Sequence, residues 1–253
     1  MDAKKNLDSQ QHHLTAVDYD LRITNLARFI GEKLKPYRRN KQKELKMIDI
    51  GAGSGLMIKH FMNLGYEVAG IELDPKLVAK MKKDKKLKGL RLEQGDITKL
   101  KGKEEYDVVV SNDVIEHIED DRKAIKNLWT FVKPGGMLII TVPAHSFLYC
   151  QRDEAWGHFR RYDRGDLVKK VAETTGTVKF ITYWNFIGFF VYLFMEKLLK
   201  LKMHEEIRYK ESGANSIIKK IIDKELQMES HIGGTPIGLS LVVGVKKEEF
   251  KPI

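Results

Sequence analysis

From residue 46 onward, short apolar runs alternate with longer stretches of helical spacing. Lys46–Ile50 (KMIDI) reads as a buried strand. Tyr66–Leu73, Leu90–Glu93, Tyr106–Ser111 and Met137–Val142 read as four more. Between them, residues 56–64, 75–86 and 114–131 carry apolar side chains near every third or fourth position, and Pro134-Gly135-Gly136 is a turn. Strands separated by helices predict βαβ units: a parallel sheet with right-handed crossovers and helices on both faces.

The flanks follow other rules. Residues 1–13 are polar, residues 14–34 have helical spacing that stops at Pro36, and a basic linker runs from Arg38 to Lys46. After Val142 the pattern changes. Residues 143–163 read as loop, 164–174 as helix, 177–183 as strand, 184–203 as a strongly apolar helix, 215–227 as helix and 237–246 as a last strand. About 50 residues between the last two strands are too many for a hairpin, so they read as a helical insert. The expected organisation is a helical cap (1–45), an α/β core (46–183), an insert (184–236) and a closing strand with its tail (237–253).

Apolar residues make up 42% of the chain, enough to build a core and too many for a disordered one. One cysteine leaves no disulfide framework and no multi-cysteine metal site. The opening residues show no apolar signal segment, and no apolar run reaches the roughly 18 residues of a membrane span, so a cytoplasmic location is expected. The net charge of +10 is concentrated in 33–46 and 76–91, which suits anionic lipid, acidic substrates or nucleic acid, or simply a solvated surface.

The most specific chemistry lies at Asp49-Ile50-Gly51-Ala52-Gly53-Ser54-Gly55, between the first strand and its helix, where glycines let a ligand approach the backbone. Glu72 ends the second strand, 21 positions after Gly51, where a carboxylate meets a ribose. Gly95-Asp96 follows the third strand and Ser111-Asn112-Asp113 ends the fourth. Asp49 opposes a pyrophosphate but suits an ammonium group, and Asp96 can accept from an adenine amino group. The set favours a ligand with adenine, ribose and a zwitterionic amino acid. S-adenosylmethionine fits; NAD fits poorly.

On these motifs the chain resembles the class I S-adenosylmethionine-dependent methyltransferases, of the ubiquinone-biosynthesis-like (methyltransferase type 11) group. The resemblance covers about residues 46–145. It implies a Rossmann-like, doubly wound sheet of seven strands, mostly parallel, with an antiparallel last strand. It implies Gly51, Ala52 and Gly53 along the aminocarboxypropyl arm and Glu72 on the ribose. Leu73, Asp96 and Ile97 would meet the adenine, with Ser111 and Asn112 beneath the sulfonium.

Methyl transfer needs a nucleophile held opposite the sulfur, and a hydroxyl acceptor needs a general base. Strand four ends in SNDV and lacks the Asn/Asp-Pro-Pro-aromatic run of enzymes that methylate exocyclic base amines, which favours a small or lipid-linked acceptor. Residues 153–162 (DEAWGHFRRY) offer His158 for proton transfer, Arg160 and Arg161 for a phosphate or carboxylate, and Tyr162 as an aromatic wall; the alternative is a structural lid in which an Arg pairs with Asp153 or Asp163, or Arg161 and Tyr162 as the cap of the next helix. A similar Gly-His-x-Arg-Arg-Tyr run occurs in methyltransferases of prenyl-lipid and surface-glycan pathways. Asp113, Glu116 and His117 share the spacing of one helix face. His117 is a second candidate base, and in some quinone-precursor O-methyltransferases a similar run binds a divalent ion; no metal is assigned here. The 184–203 segment suits an interfacial helix on anionic lipid at the inner face of a membrane, the wall of a tunnel for a greasy acceptor, a core helix or a homodimer face. The expected activity is S-adenosylmethionine-dependent methylation of an O or N nucleophile on a small or lipid-linked, anionic acceptor. The alternatives are an RNA methyltransferase or a non-catalytic S-adenosylmethionine-binding protein.

Overall fold

The computed structural model of the chain describes residues 20–37, 45–199 and 214–249. Helix α1 (Leu21–Leu34) starts at Asp20, whose carboxylate accepts from the Arg22 and Ile23 amides at 2.8 and 3.2 Å. Then come β1 (Leu45–Ile50), α2 (Leu56–Asn63), β2 (Tyr66–Glu72), α3 (Pro75–Lys83), β3 (Arg91–Gln94), β4 (Tyr106–Asn112), α4 (Asp121–Trp129) and β5 (Val132–Pro143). The remainder is α5 (Gln151–Ala155), α6 (Arg164–Ala172), β6 (Thr177–Trp184), α7 (Phe186–Tyr192), α8 (Ala214–Ile232) and β7 (Ser240–Lys246).

The seven strands form one sheet in the order β3-β2-β1-β4-β5-β7-β6, parallel except for β7, which runs antiparallel to both neighbours. Alternation along each strand divides the core in two. Met47, Val108, Val110, Met137 and Ile139 join a cluster with Phe29 and Ile30 of α1 and Ile58 and Phe61 of α2. Ile48, Ile50, Val109, Leu138 and Ile140 join the other, with Ile125 and Leu128 of α4 and Leu167 of α6. The chain reverses its winding at β1, between β2 and β4, so the crevice at the carboxyl ends of these strands is where a ligand would be held.

The expected fold class holds, and four local expectations are corrected. The helices expected within 114–131 are shorter, a tight 3-10 turn, Ile115–His117, and then α4, which starts where Asp120 caps the Lys123 amide at 3.0 Å. The turn expected at Pro134-Gly135-Gly136 is absorbed into β5, where the ladder shifts register; a Cβ on Gly136 would lie 2.9 Å from the Tyr106 carbonyl. Within 143–163, expected as loop, α5 forms, and Ala144 bridges Tyr162. The apolar helix expected from Trp184 begins two residues later. Trp184 is buried at the end of β6, and Asn185, at φ +67°, breaks the chain direction. Glu229 of α8 then accepts the Asn185 and Phe186 amides at 2.7 and 2.6 Å and so fixes the start of α7. Beyond Tyr192 the helix widens into a π turn, Leu193–Leu198. Residues 14–19 and 200–203 of the expected helices, and most of the basic linker, lie outside the described residues.

Candidate active site

The glycine loop is held by β2. The Gly51 and Ala52 amides both donate to the Ile71 carbonyl, at 2.8 and 3.1 Å. Gly51 sits at φ +87°, and a Cβ there would come within 2.2 Å of Val114, so the residue must be glycine on both counts. Buried Glu72 takes the Gly53 amide on one carboxylate oxygen at 2.7 Å and the Asp74 amide on the other at 3.0 Å. Burial pushes its carboxyl above the usual range, and these amides pull it back. Glu72 therefore shapes the loop, and each oxygen retains a lone pair for a further donor.

Asp49 lies under this loop, buried at 2% exposure, with its Oδ1 without a hydrogen-bond partner. Burial and the Glu72 charge push its carboxyl up to about 7. Nearby strand ends carry more polar atoms in the same condition: Ser111 Oγ, Asn112 Oδ1 and, paired opposite Asn112 on β5, Thr141 Oγ1. Buried polar atoms are rarely left unsatisfied unless a ligand or water completes them. An ammonium would satisfy Asp49, so the donor set fits the amino-acid end of S-adenosylmethionine. Asp96 is partly engaged: its Oδ1 accepts from the Thr98 amide and hydroxyl at 2.9 and 2.7 Å. Leu73 is half-buried, and Ile97 is buried with its carbonyl accepting from Asn127 at 2.6 Å.

A second polar cluster sits after β4 and β5. Asp113, at φ +52°, pairs with Arg22 of α1, whose guanidinium also reaches Ser240 Oγ at 3.2 Å. Glu116 is fully buried with no hydrogen-bond partner on either oxygen; burial and neighbouring Asp113 raise its carboxyl well above the usual range. The His117 and His158 rings meet edge to face, 4.7 Å between centroids. One ligand-type atom from each of Glu116, His117 and His158 falls within 4.8 Å of the others, a donor set that could hold a cation. It differs from the Asp113–Glu116–His117 run read from the sequence, because Asp113 faces Arg22 and His158 enters instead.

The three residues expected to grip the acceptor are engaged inside the protein. Arg160 pairs with Asp121 at 2.8 Å and donates to the Glu119 carbonyl at 2.8 Å. Arg161 is 6% exposed, with its Nε shared between the Asp153 oxygens at 2.9 and 3.0 Å. Tyr162 is fully buried and donates to Asp121 at 2.9 Å. Two acids, Asp121 and Asp153, supply from within the counter-charge that a bound anion was expected to bring. Sequence reasoning passed over Arg22 and Tyr192, whose partners lie 91 and about 40 residues away. The pairing of an Arg with Asp153 was open to sequence reasoning and is the one Arg161 makes; the contact of Asp153 with His158, five residues on, was missed.

Residues 48–140 match the family model described as a methyltransferase domain. A ubiquinone biosynthesis O-methyltransferase of Rickettsia typhi is 32% identical over 118 residues, 45% of this chain and 46% of that protein. The chain thus matches about half the length of this curated relative. An S-adenosylmethionine-dependent methyltransferase from Mesorhizobium loti superposes with a TM-score of 0.54 at 14% identity, over 85% of this chain and 97% of that one. A phosphoethanolamine N-methyltransferase of Haemonchus contortus, solved with S-adenosylmethionine, gives 0.56 at 19% identity, over 85% of this chain and 51% of that one. At such identities these two likenesses are of fold. By its matched segment, its strand order and the loop that follows β1, the chain carries a class I S-adenosylmethionine-dependent methyltransferase domain, and S-adenosylmethionine is that domain's cofactor.

Proposed function

We propose that the protein methylates a hydroxyl oxygen of a small acceptor, with His158 taking the hydroxyl proton. The observation that carries this reading is the pair of imidazoles, His117 and His158, packed together just past the strand end that bears Ser111 and Asn112. The named activity of the Rickettsia typhi relative, an O-methyltransferase, supports the same choice of atom. When bound, S-adenosylmethionine supplies a methyl group on a positive sulfur; the C–S bond breaks as the O–C bond forms, and a neutral thioether leaves. Asp49 would hold the ammonium of that cofactor, Glu72 the ribose, and Leu73, Asp96 and Ile97 the adenine. Gly51, Ala52 and Gly53 would let its chain lie against backbone, and Ser111 and Asn112 would line the floor beneath the sulfur. Of the two histidines, His158 has its Nδ1 bonded to an acid at 2.9 Å, which leaves Nε2 as the nitrogen that can receive a proton.

An anionic acceptor draws support from the net charge of +10, but Arg160 and Arg161 already hold carboxylates. Methyl-labelled cofactor incubated with lipid, RNA and soluble cell fractions tests the reading: label in a base-stable ether within the lipid or soluble pool is expected. Label confined to RNA, or to an amine, would refute it.

A second reading concerns where the acceptor is met. Phe186, Phe190, Phe194 and Leu198 recur every four residues on α7 and its π turn, and all are exposed. No helix among the described residues is long and apolar enough to cross a membrane. An exposed aromatic ladder beside Lys197 suits the face of an anionic bilayer carrying a greasy acceptor. Sedimentation with vesicles of phosphatidylglycerol, lost in a Phe190→Asp/Phe194→Asp variant, is the expected result. Equal sedimentation of both proteins would refute it.

A further inference from the structure

We propose that Asp153 is the positioning residue for His158, holding its imidazole in the tautomer that leaves Nε2 bare, and that Tyr192 ties helix α7 to this same carboxylate. The inference rests on the reading of His158 as the base, and it adds the residues that aim that base.

Asp153 lies in the first turn of α5 and is fully buried. Its Oδ1 contacts His158 Nδ1 at 2.9 Å and Arg161 Nε at 2.9 Å. Its Oδ2 accepts from the Cys150 amide at 3.0 Å, the Tyr192 hydroxyl at 3.2 Å and Arg161 Nε at 3.0 Å. A carboxylate ringed by this many donors, a guanidinium among them, stays ionised. An ionised carboxylate can only accept, so Nδ1 of His158 must carry the hydrogen, and a neutral imidazole then presents a lone pair at Nε2. The ring has little freedom to turn away. Trp156 and His117 stand edge to face against it, 5.7 and 4.7 Å between centroids, and the His158 amide donates to the Asp153 carbonyl at 2.9 Å.

Arg161 therefore acts one step further out. Its guanidinium keeps Asp153 charged and also stacks over the Tyr192 ring, 4.4 Å to the centroid. Tyr192 is the last residue of α7, so the helix with the exposed aromatic ladder ends on the acid that orients the base. Arg152 of α5 pairs with Glu196 of the π turn and adds a second tie between the same two elements.

The competing account is that Asp153 is only a buried counter-ion for Arg161. The test joins a measurement on the unaltered protein to one on variants. Long-range 1H–15N correlation of 15N-histidine-labelled protein, in chelator, is expected to show His158 protonated at Nδ1 and bare at Nε2. A proton on Nε2 would overturn the proposal, whether or not an acceptor is in hand. For Asp153→Asn, transfer to a panel of ring-substituted phenols is expected to slow about 100-fold for weakly acidic members, the size of a general-base contribution. It should slow much less for a nitrophenol already ionised at the assay pH. S-adenosylhomocysteine affinity by calorimetry should stay within about twofold, since none of the hydrogen bonds of Asp153 reaches the glycine loop or Glu72. Tyr192→Phe, a milder change, should give the same graded pattern at a few-fold. Equal losses across the panel would mark Asp153 as structural and overturn the proposal. The reading of His158 fails separately, if His158→Gln leaves turnover on the weakly acidic phenols unchanged.

Discussion

The two halves of the crevice are built by different means. On the β1–β2 side the site is made of backbone: three glycines at positive φ, amides aimed at one carbonyl, and a single carboxylate, Glu72, closing the loop. Its parts lie within about 25 residues of one another, and each has a residue type that geometry demands. On the β4–β5 side the site is made of side chains drawn from α1, the turn after β4, α5 and α7, and its charges are satisfied mostly by one another. A group that every member of a methyltransferase fold must hold can be cradled by local geometry. The half proposed for the acceptor is assembled from distant pieces, none of them part of the glycine loop.

If that division holds, damage to the two halves separates in the measurements. Glu72→Ala removes both ties to the Gly53 and Asp74 amides as well as the group proposed to hold the ribose. Hydrogen bonds to a charged group are worth about 1.5–3 kcal/mol each, so S-adenosylhomocysteine affinity should fall roughly 100-fold or more. Circular dichroism should show the fold retained. His158→Gln should do the reverse, lowering turnover about 100-fold with cofactor affinity within about twofold by calorimetry. A matched loss in both quantities for either variant would erase the distinction between the halves.

The same division explains what could be read from the sequence. The βαβ alternation, the glycine loop and Glu72 were legible because strand and helix periods, and the demand for glycine at Gly51, are local. The antiparallel place of β7 came from family resemblance and not from pattern. The break after 115–117 was not legible because Ile115 and Ile118, on either side of His117, keep helical spacing, and nothing in the pattern shows that Glu116 is turned fully inward. Of the acids that hold Arg160, Arg161 and Tyr162, Asp153 lies in the same short run and its pairing with an Arg is legible as the structural alternative, whereas Asp121, about 40 residues away, could not be paired with them from sequence. Arg22 was invisible for the same reason: nothing near it in the chain announces Asp113.

Asp49 gives a test that titrates one half alone. Its carboxyl is raised to about 7, above an unfolded value near 3.8, so the folded protein holds a proton that the unfolded chain has released between those values. By itself this makes folding less favourable as pH rises across that window. Binding runs the other way. An ammonium ligand needs the carboxylate, so cofactor affinity should rise as pH climbs through about 7 and level off above it. Below 7 it should fall by up to about tenfold per pH unit. Asp49→Asn should bind weakly and show no such slope. A flat profile in the unaltered protein, by calorimetry at several pH values, would mean that Asp49 does not meet the ammonium.

The smallest effect is expected on the other half, at Arg160. Its ion pair with Asp121 is shared: Lys170 reaches the same carboxylate at 2.8 Å, and the Tyr162 hydroxyl donates to it as well. Removing one of three partners leaves the acid compensated, and the guanidinium is itself partly exposed, so solvent screens the pair. Arg160→Ala should therefore cost at most about 1 kcal/mol of stability. Its acceptor KM should move by less than about threefold, well below the loss expected when a hydrogen bond to a charged substrate group is removed. The variant still decides something a larger one would not. If KM rises tenfold or more for an anionic acceptor and stays put for a neutral one, then Arg160 exchanges Asp121 for the acceptor during turnover. In that case the acceptor half is not satisfied within itself, and its pairing with Asp121 is a resting state that substrate displaces.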